Sequence, residues 1–182
     1  MSPGPAVFLD RDGVVNRRLP GDWVESPARL EILPGALDAM ARLTRAGHRL
    51  VIVTNQSGIG RGRLTLAQVE TVHAHLRARV EERGGKIDAI YVCPHAPNDG
   101  CRCRKPGTLL LERAARDLEL DLTLATMIGD SPSDIGAARA AGFARALRVI
   151  DPLEPYPDSA PRADAHFESL ASAVDWFLSH PH

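Results

Sequence analysis

Short apolar runs alternate along the chain with longer amphipathic stretches. Ala6-Val7-Phe8-Leu9 and Leu50-Val51-Ile52-Val53 are continuous apolar runs of buried-strand length, and the segment between them is opened by Pro34 and closed by Gly47, as a helix would be. The N-terminal part therefore reads as β-α-β. Thr65 followed by Gln68 is a capping-box signal for a helix running to Gly84-Gly85, and Ile87 to Val92 makes a third strand. A helix fits Leu109 to Leu118, a strand Ala125 to Ile128, a helix the residues around Ile135 to Ala141, and a strand Ala146 to Ile150. Asp151 to Asp164, rich in proline and acid, reads as a surface excursion before a last helix from Leu170 to Leu178. No internal repeat and no linker interrupts this order, so residues 1–182 are expected to form one domain.

Strands alternating with helices predict an α/β fold: an open, mostly parallel, doubly wound sheet covered on both faces. Such sheets bind ligands beyond the carboxyl ends of their strands, where strand order reverses. The polar residues that end each apolar run are therefore the candidates for chemistry. They are Asp10 and Asp12, Thr54 to Ser57, Cys93 to Lys105, and Asp130 to Asp134.

Composition narrows the classes. With 44% hydrophobic residues in 182 there is enough apolar material for a full core, and 22 basic against 23 acidic residues give a net charge of -1. That balance argues against a protein that coats nucleic acid or anionic membrane. No apolar run reaches the ~18 residues of a membrane-spanning helix, and the early run Ala6 to Leu9 stops at Asp10, so neither a span nor a secretory signal is expected. The 3 cysteines all fall between Cys93 and Cys103, a poor disulfide framework, which points to a reducing, cytoplasmic setting.

Asp10 and Asp12 lie two apart where a buried strand opens into a glycine-containing loop, so both can face one site. The pair suits a hard divalent cation such as Mg²⁺, and a carboxylate can also attack phosphorus while its neighbour transfers protons. By itself an Asp-x-Asp pair is as readily a turn at a strand end. Thr54-Asn55-Gln56-Ser57-Gly58 adds hydroxyl, amide and backbone donors of the kind that hold phosphate. Arg104-Lys105-Pro106 supplies positive charge before a helix, and Asp130 in Gly129-Asp130-Ser131-Pro132-Ser133-Asp134 can complete a metal site, with Ser131 or Ser133 as the helix cap. Cys93, His95, Cys101 and Cys103 offer three thiolates and one imidazole, the composition of a closed structural zinc site that would anchor the segment carrying Arg104 and Lys105. His73 and His75, two apart on a helix, diverge by about 200° and are read as structural or exposed, like the histidines without a partner pattern. Trp23 can line a substrate mouth, although packing is the commoner role of a lone tryptophan.

Taken in order, Asp-x-Asp, Thr, Lys and Gly-Asp-x-x-x-Asp resemble the motif series of the haloacid dehalogenase (HAD) superfamily phosphatases. The resemblance implies Asp10 as nucleophile, Asp12 as general acid and base, Thr54 and Lys105 as phosphate holders, and Asp10, Asp12 and Asp130 around Mg²⁺, Asp12 through its backbone carbonyl. Phe-Leu-Asp-Arg-Asp-Gly, Thr-Asn-Gln-Ser-Gly-Ile-Gly-Arg-Gly, Cys-Pro-His and Cys-Arg-Lys-Pro-Gly are similar to the capless branch represented by the heptose 1,7-bisphosphate 7-phosphatases, over nearly the whole chain. It implies a cytoplasmic enzyme without a cap domain, acting on a small sugar phosphate to give heptose 1-phosphate, a precursor of activated heptose for lipopolysaccharide or other surface glycans. Val14 stands where that family commonly has threonine, and the five residues between His95 and Cys101 are like the zinc loop of histidinol-phosphate phosphatases, the alternative reading.

Arg11, Arg17, Arg18, Arg61, Arg63, Arg102 and Arg104 fall on the candidate site loops of a nearly neutral chain, as a doubly phosphorylated substrate would require. Arg11, Arg18, Asn55, Gln56, Ser57, Arg61 and Arg104 are the expected substrate-binding residues, with no nucleic-acid or membrane partner and a monomeric state. A non-catalytic zinc module and a polynucleotide end phosphatase are the competing classes. The intact acidic and lysine motifs oppose the first, and the charge and sparse aromatics oppose the second.

Overall fold

The computed structural model describes residues 4–181. Six strands, β1 (Gly4–Leu9), β2 (His48–Asn55), β3 (Ala89–Cys93), β4 (Thr126–Gly129), β5 (Arg145–Val149) and β6 (Ala165–Phe167), form one sheet. Every neighbouring pair is parallel and the spatial order is β3-β2-β1-β4-β5-β6. The helices are α1 (Ala36–Arg45), the single turn α2 (Ser57–Gly60), α3 (Leu66–Glu81), α4 (Leu109–Asp117), α5 (Pro132–Ala140) and α6 (Leu170–Ser179).

Successive strand residues point to opposite faces, and both faces are buried, which is why β1 and β2 read as unbroken apolar runs rather than alternating ones. On one face Val7, Leu9, Leu50 and Ile52 pack with Met40 and Leu43 of α1, Val72 and Leu76 of α3, and Val174 and Phe177 of α6. On the other, Ala6, Phe8, Val51 and Val53 pack with Leu111 and Ala114 of α4 and Ile135 and Ala138 of α5. Phe8 lies edge-on to Phe143 with ring centroids 5.0 Å apart. Truncating such a ring in a close-packed interior costs about 3–5 kcal/mol.

Helix ends follow the local chemistry. The Thr65–Gln68 capping box opens α3 as expected, and a second box of Ser131 and Asp134, with Pro132 in the first turn, opens α5. Four elements have no counterpart in the apolar pattern: α2, 3-10 turns at Pro27–Arg29 and Leu122–Leu124, and β6, whose three residues are at best half-buried. Each is too short to establish a periodicity. Asp151 to Asp164 carries neither helix nor strand.

β2 outlasts its apolar run, because pairing with β3 continues through Thr54↔Val92 and Asn55↔Cys93. That extension puts the polar end of β2 beside the first cysteine. Chain order runs outward from the centre, β1 to β2 to β3 on one side and β4 to β5 to β6 on the other. The loops leaving β1 and β4 therefore part company, and the crevice between them is the position where such sheets take ligands. Among the described residues no helix is long and apolar enough to cross a membrane.

Candidate active site

Asp10 follows the last residue of the central strand, and its N–H donates to the Ile128 carbonyl at 3.0 Å, tying the end of β1 to β4. Its carboxylate meets the Lys105 ammonium at 2.8 Å, which also lies 2.6 Å from Asp134 Oδ1 and donates to the Val53 carbonyl at 2.6 Å. The ammonium thus binds three strand and helix ends at once. Burial opposes its charge, but Asp10 and Asp134 prevail and raise its pKa. Burial pushes Asp10 up to about 6; Lys105 pulls it down, while Asp134 and Asp12 push the same way as burial. Asp10 is therefore mostly ionised at neutral pH.

Carboxylate oxygens of Asp10, Asp130 and Asp134 all lie within 4.8 Å of one another. Asp130 is fully buried, and burial together with Asp10 and Asp134 drives it up to about 9, against the opposing pull of Arg18. Its Oδ1 has no hydrogen-bond partner. Gly13, at φ +88°, fits against it only because a Cβ there would sit 2.2 Å from Asp130 Oδ2. Three buried carboxylates with one orphan oxygen and too little positive charge are a donor set that suits Mg²⁺, a hard cation bound through a few carboxylates and otherwise through water and phosphate. Asp134, which caps α5, belongs to this group and was not among the residues expected there.

The Asp12 carboxylate does not join it. The loop after β1 folds back on the Arg11 carbonyl, which accepts from Val15 at 2.8 Å and Asn16 at 3.1 Å. Asp12 there receives one terminal Arg11 nitrogen, which lies 3.1 Å from both of its oxygens, together with Asn16 Nδ2 at 2.9 Å and Gln56 Nε2 at 2.8 Å. Burial would raise its pKa, but the Arg11 charge and these donors outweigh it and hold the carboxyl low. The Asp12 carboxylate is thus engaged by Arg11, Asn16 and Gln56 and not by the acidic group.

Of the residues expected to touch substrate, Arg11, Arg18, Asn55, Gln56, Ser57 and Arg104 line the cleft, and most of them are also tied to neighbouring side chains. Arg11 is only 1% exposed and spends its guanidinium on Asp12 and on His73, at 2.9 Å. Gln56 is buried and also donates to Thr54 Oγ1 at 2.9 Å, so it orders the floor of the site. Asn55 brackets Lys105, donating to its carbonyl at 3.2 Å and accepting from its N–H at 3.1 Å. Arg18 is held by Asp130, by Asp151 at 3.2 Å and by Glu154 at 3.0 Å. Arg61 stands exposed at the end of α2, outside the cleft, because the Ser57-Gly58-Ile59-Gly60 turn carries it outward.

A cleft of about 340 Å³ opens above Asp10, lined among others by Asp12, Ser57, Arg104, Lys105, Ser133 and Trp23. The Trp23 indole rests on Gly58, where a Cβ would come within 2.7 Å of the ring, so the tryptophan forms a wall of the mouth. Arg104 donates to the His95 carbonyl at 3.4 Å, and among the described residues its guanidinium has no carboxylate partner. Val14 is fully buried in the core and does not line the cleft.

The loop after β3 gathers the thiols. Cys93 Sγ lies 3.7 Å from Cys101 Sγ, 3.2 Å from Cys103 Sγ and 3.7 Å from His95 Nδ1, which is 3.1 Å from Cys103 Sγ. These spacings approach the roughly 3.8 Å edges of a tetrahedron with zinc–sulfur bonds of about 2.3 Å, and one ion can collect all four. Their chemistry fits Zn²⁺, and no disulfide competes for them.

A family model described as "HAD-hyrolase-like" matches residues 102–149. The D-glycero-beta-D-manno-heptose-1,7-bisphosphate 7-phosphatase of Bordetella bronchiseptica is 44% identical over 138 residues, 76% of each chain. The D-glycero-alpha-D-manno-heptose-1,7-bisphosphate 7-phosphatase of Mycobacterium tuberculosis is 37% identical over 169 residues, 90% of this chain and 86% of that one. The chain belongs to the heptose-1,7-bisphosphate 7-phosphatase family of the HAD superfamily. A crystal structure of the B. bronchiseptica D,D-heptose 1,7-bisphosphate phosphatase, complexed with magnesium and phosphate, superposes with a TM-score of 0.89 at 36% identity, over 96% of this chain and 98% of that one.

Three residues acquire partners at the site that the sequence did not indicate: Asn16 on Asp12, His73 on Arg11, and Asp134 on Lys105. His73 had a usable signal, since it shares the buried face of α3 with Val69, Val72, Leu76 and Val80. An imidazole on such a face has to find a partner.

Proposed function

We propose that this protein is a Mg²⁺-dependent phosphatase that removes the 7-phosphate of D-glycero-D-manno-heptose 1,7-bisphosphate. The reading rests above all on one juxtaposition: Asp10 and its partner Lys105 at 2.8 Å line a polar cleft, with the buried Asp130 within 4.8 Å of Asp10. The named substrate of the relatives supports the choice of ester.

The Asp10 carboxylate attacks phosphorus and the bond to the sugar oxygen breaks, leaving an aspartyl phosphate. Asp12 gives its proton to the departing sugar oxygen, then takes one from the water that releases phosphate and restores Asp10. Asp12 is held low in the free protein, and a dianionic phosphate arriving beside it favours its protonated form. Lys105 offsets the charge that builds on the phosphoryl oxygens, and Thr54 with its loop orders the phosphate floor. Asp10 and Asp130, with Asp134 beside them, would hold Mg²⁺, which when bound offsets phosphate charge and aligns the phosphoryl group with Asp10. Cys93, His95, Cys101 and Cys103 would hold Zn²⁺ as a structural clip. Arg104, whose charge faces the cleft, engages the phosphate that is not cleaved. The free thiols fit the cytoplasm.

The test is kcat/KM with Mg²⁺ on both anomers of heptose 1,7-bisphosphate, histidinol phosphate and fructose 1,6-bisphosphate. A preference of ~100-fold or more for a heptose bisphosphate, about 2.7 kcal/mol of differential transition-state binding, is expected. A preference for histidinol phosphate would overturn the assignment and make the short zinc loop the informative feature.

A further inference from the structure

Behind Asp12 lies a second layer of buried polar groups that the reaction does not touch. One terminal nitrogen of the Arg11 guanidinium bridges both Asp12 oxygens at 3.1 Å, and the other lies 2.9 Å from His73 Nε2. Guanidinium has donors only, so His73 Nε2 is the acceptor and the ring is neutral. Burial, then the Arg11 charge, force that state, holding the imidazole down at about 3. Arg11 Nε has no partner, so Asp12 and His73 are the side chains that fix the plane of the guanidinium. His73 in turn is fixed by α3, whose buried face packs on the core and whose first turn is capped at Thr65.

We propose that His73 is a positioning residue for the proton-transferring carboxyl of Asp12, acting through Arg11. Without an acceptor at position 73 a second buried nitrogen of Arg11 is left unpaired, which favours a shift of the guanidinium toward other acceptors. Asp12 then loses the bridging Arg11 nitrogen and keeps only Asn16 and Gln56. A proton donor displaced by ~1 Å can cost about 10²-fold in rate. The loss should depend on the ester, because an alkoxide needs its proton in the transition state and an acidic phenoxide does not.

This inference deepens the phosphatase reading and rests on it. The experiment compares His73→Leu, His73→Met and His73→Gln with the unaltered holoenzyme on heptose 1,7-bisphosphate and on p-nitrophenyl phosphate. Expected for Leu and Met is a loss of ~10-fold or more in kcat/KM on the sugar ester, carried by kcat, and less than about threefold on the aryl ester. Gln, whose amide oxygen can accept from Arg11, should recover most of the sugar-ester rate. Equal losses on both esters, no loss on either, or a Gln variant as poor as Leu would overturn the role of His73 and leave the phosphatase reading intact. If the Leu variant does not fold, Met against Gln carries the same comparison. Absence of turnover by the unaltered enzyme on both esters would instead overturn the phosphatase reading, and this role with it.

Discussion

The acidic group at the ends of β1 and β4 and the thiol group on the loop after β3 both bring metal-ligating side chains within bonding reach of a single ion, but they are held by different means. Asp10, Asp130 and Asp134 sit at the ends of buried strands and in a helix cap, where sheet register and the Ser131–Asp134 box fix them. Cys93 alone of the thiol ligands lies on a strand, while His95, Cys101 and Cys103 follow on a loop of proline, asparagine and glycine. Regular structure can hold unfavourable charge in place: the buried carboxylates repel one another, and the core keeps them together. A loop has no such reserve and needs a cross-link. The thiol loop leads straight into Arg104 and Lys105, so the structural group governs delivery of the charge that the chemical group uses.

The largest expected effect is on the link between the two. Lys105→Met should lower kcat by about 10²–10³-fold, as when one preorganised electrostatic stabiliser is lost. Because the ammonium spans Asp10, Asp134 and the Val53 carbonyl, the midpoint of denaturant unfolding should fall as well. A variant within threefold of the parent would break the connection.

Stripping zinc with a thiol-competitive chelator, or introducing Cys101→Ser, should come next. Since metal binding to such a loop is folding free energy, several kcal/mol of local stability should go, and kcat/KM should fall by about tenfold as Lys105 loosens. Zn²⁺ but not Mg²⁺ should restore the stripped enzyme. Restoration by Mg²⁺ alone would mean that the two groups are not distinct in kind.

Arg104 and Arg61 sharpen the boundary of the cleft. Arg104→Ala should raise KM for a sugar bisphosphate by about tenfold and for the monophosphate by less than threefold, as one charge-assisted contact is removed. Arg61→Ala, outside the cleft, should change neither. Equal effects of Arg104→Ala on the two substrates would remove its role toward the second phosphate.

The smallest effect is on stability against pH. Folded His73 titrates near about 3 and an unfolded histidine near 6.5, so between those values the unfolded chain binds more protons and stability falls as pH falls. Denaturant unfolding of His73→Gln between pH 6.5 and 4 should show a shallower loss than the parent. Parallel curves would show that the imidazole is not held neutral.

The same division explains what was legible in the sequence. The strands and most helices were readable because each buries a continuous run or a capped, periodic face, as at Leu50-Val51-Ile52-Val53 and at Thr65–Gln68. Asp10, Lys105, Asp130 and the four thiol-site ligands stood out because their chemistry is local to short motifs. What was not legible depends on distance across the fold. Arg11 stood out as a cleft residue, but its bond to His73, 62 positions away, depends on the fold bringing α3 to the loop after β1. Asn55 and Gln56 read as cleft residues and do line it, but their partners Lys105 and Asp12 lie far off in the sequence and are reached only through the fold. Asp134 was visible in its motif, but its partnership with Lys105 follows from α5 meeting the thiol loop.

The central claim is that Asp10 is the phosphoryl acceptor. Rapid quenching of enzyme turning over heptose 1,7-bisphosphate, followed by borohydride reduction and peptide mass spectrometry, reads it directly. Reduction should convert the acyl phosphate at Asp10 to homoserine, with Asp12 and Asp130 unmodified and no product from Asp10→Asn. Steady turnover with an unmodified Asp10, or substantial residual turnover in Asp10→Asn, would contradict it.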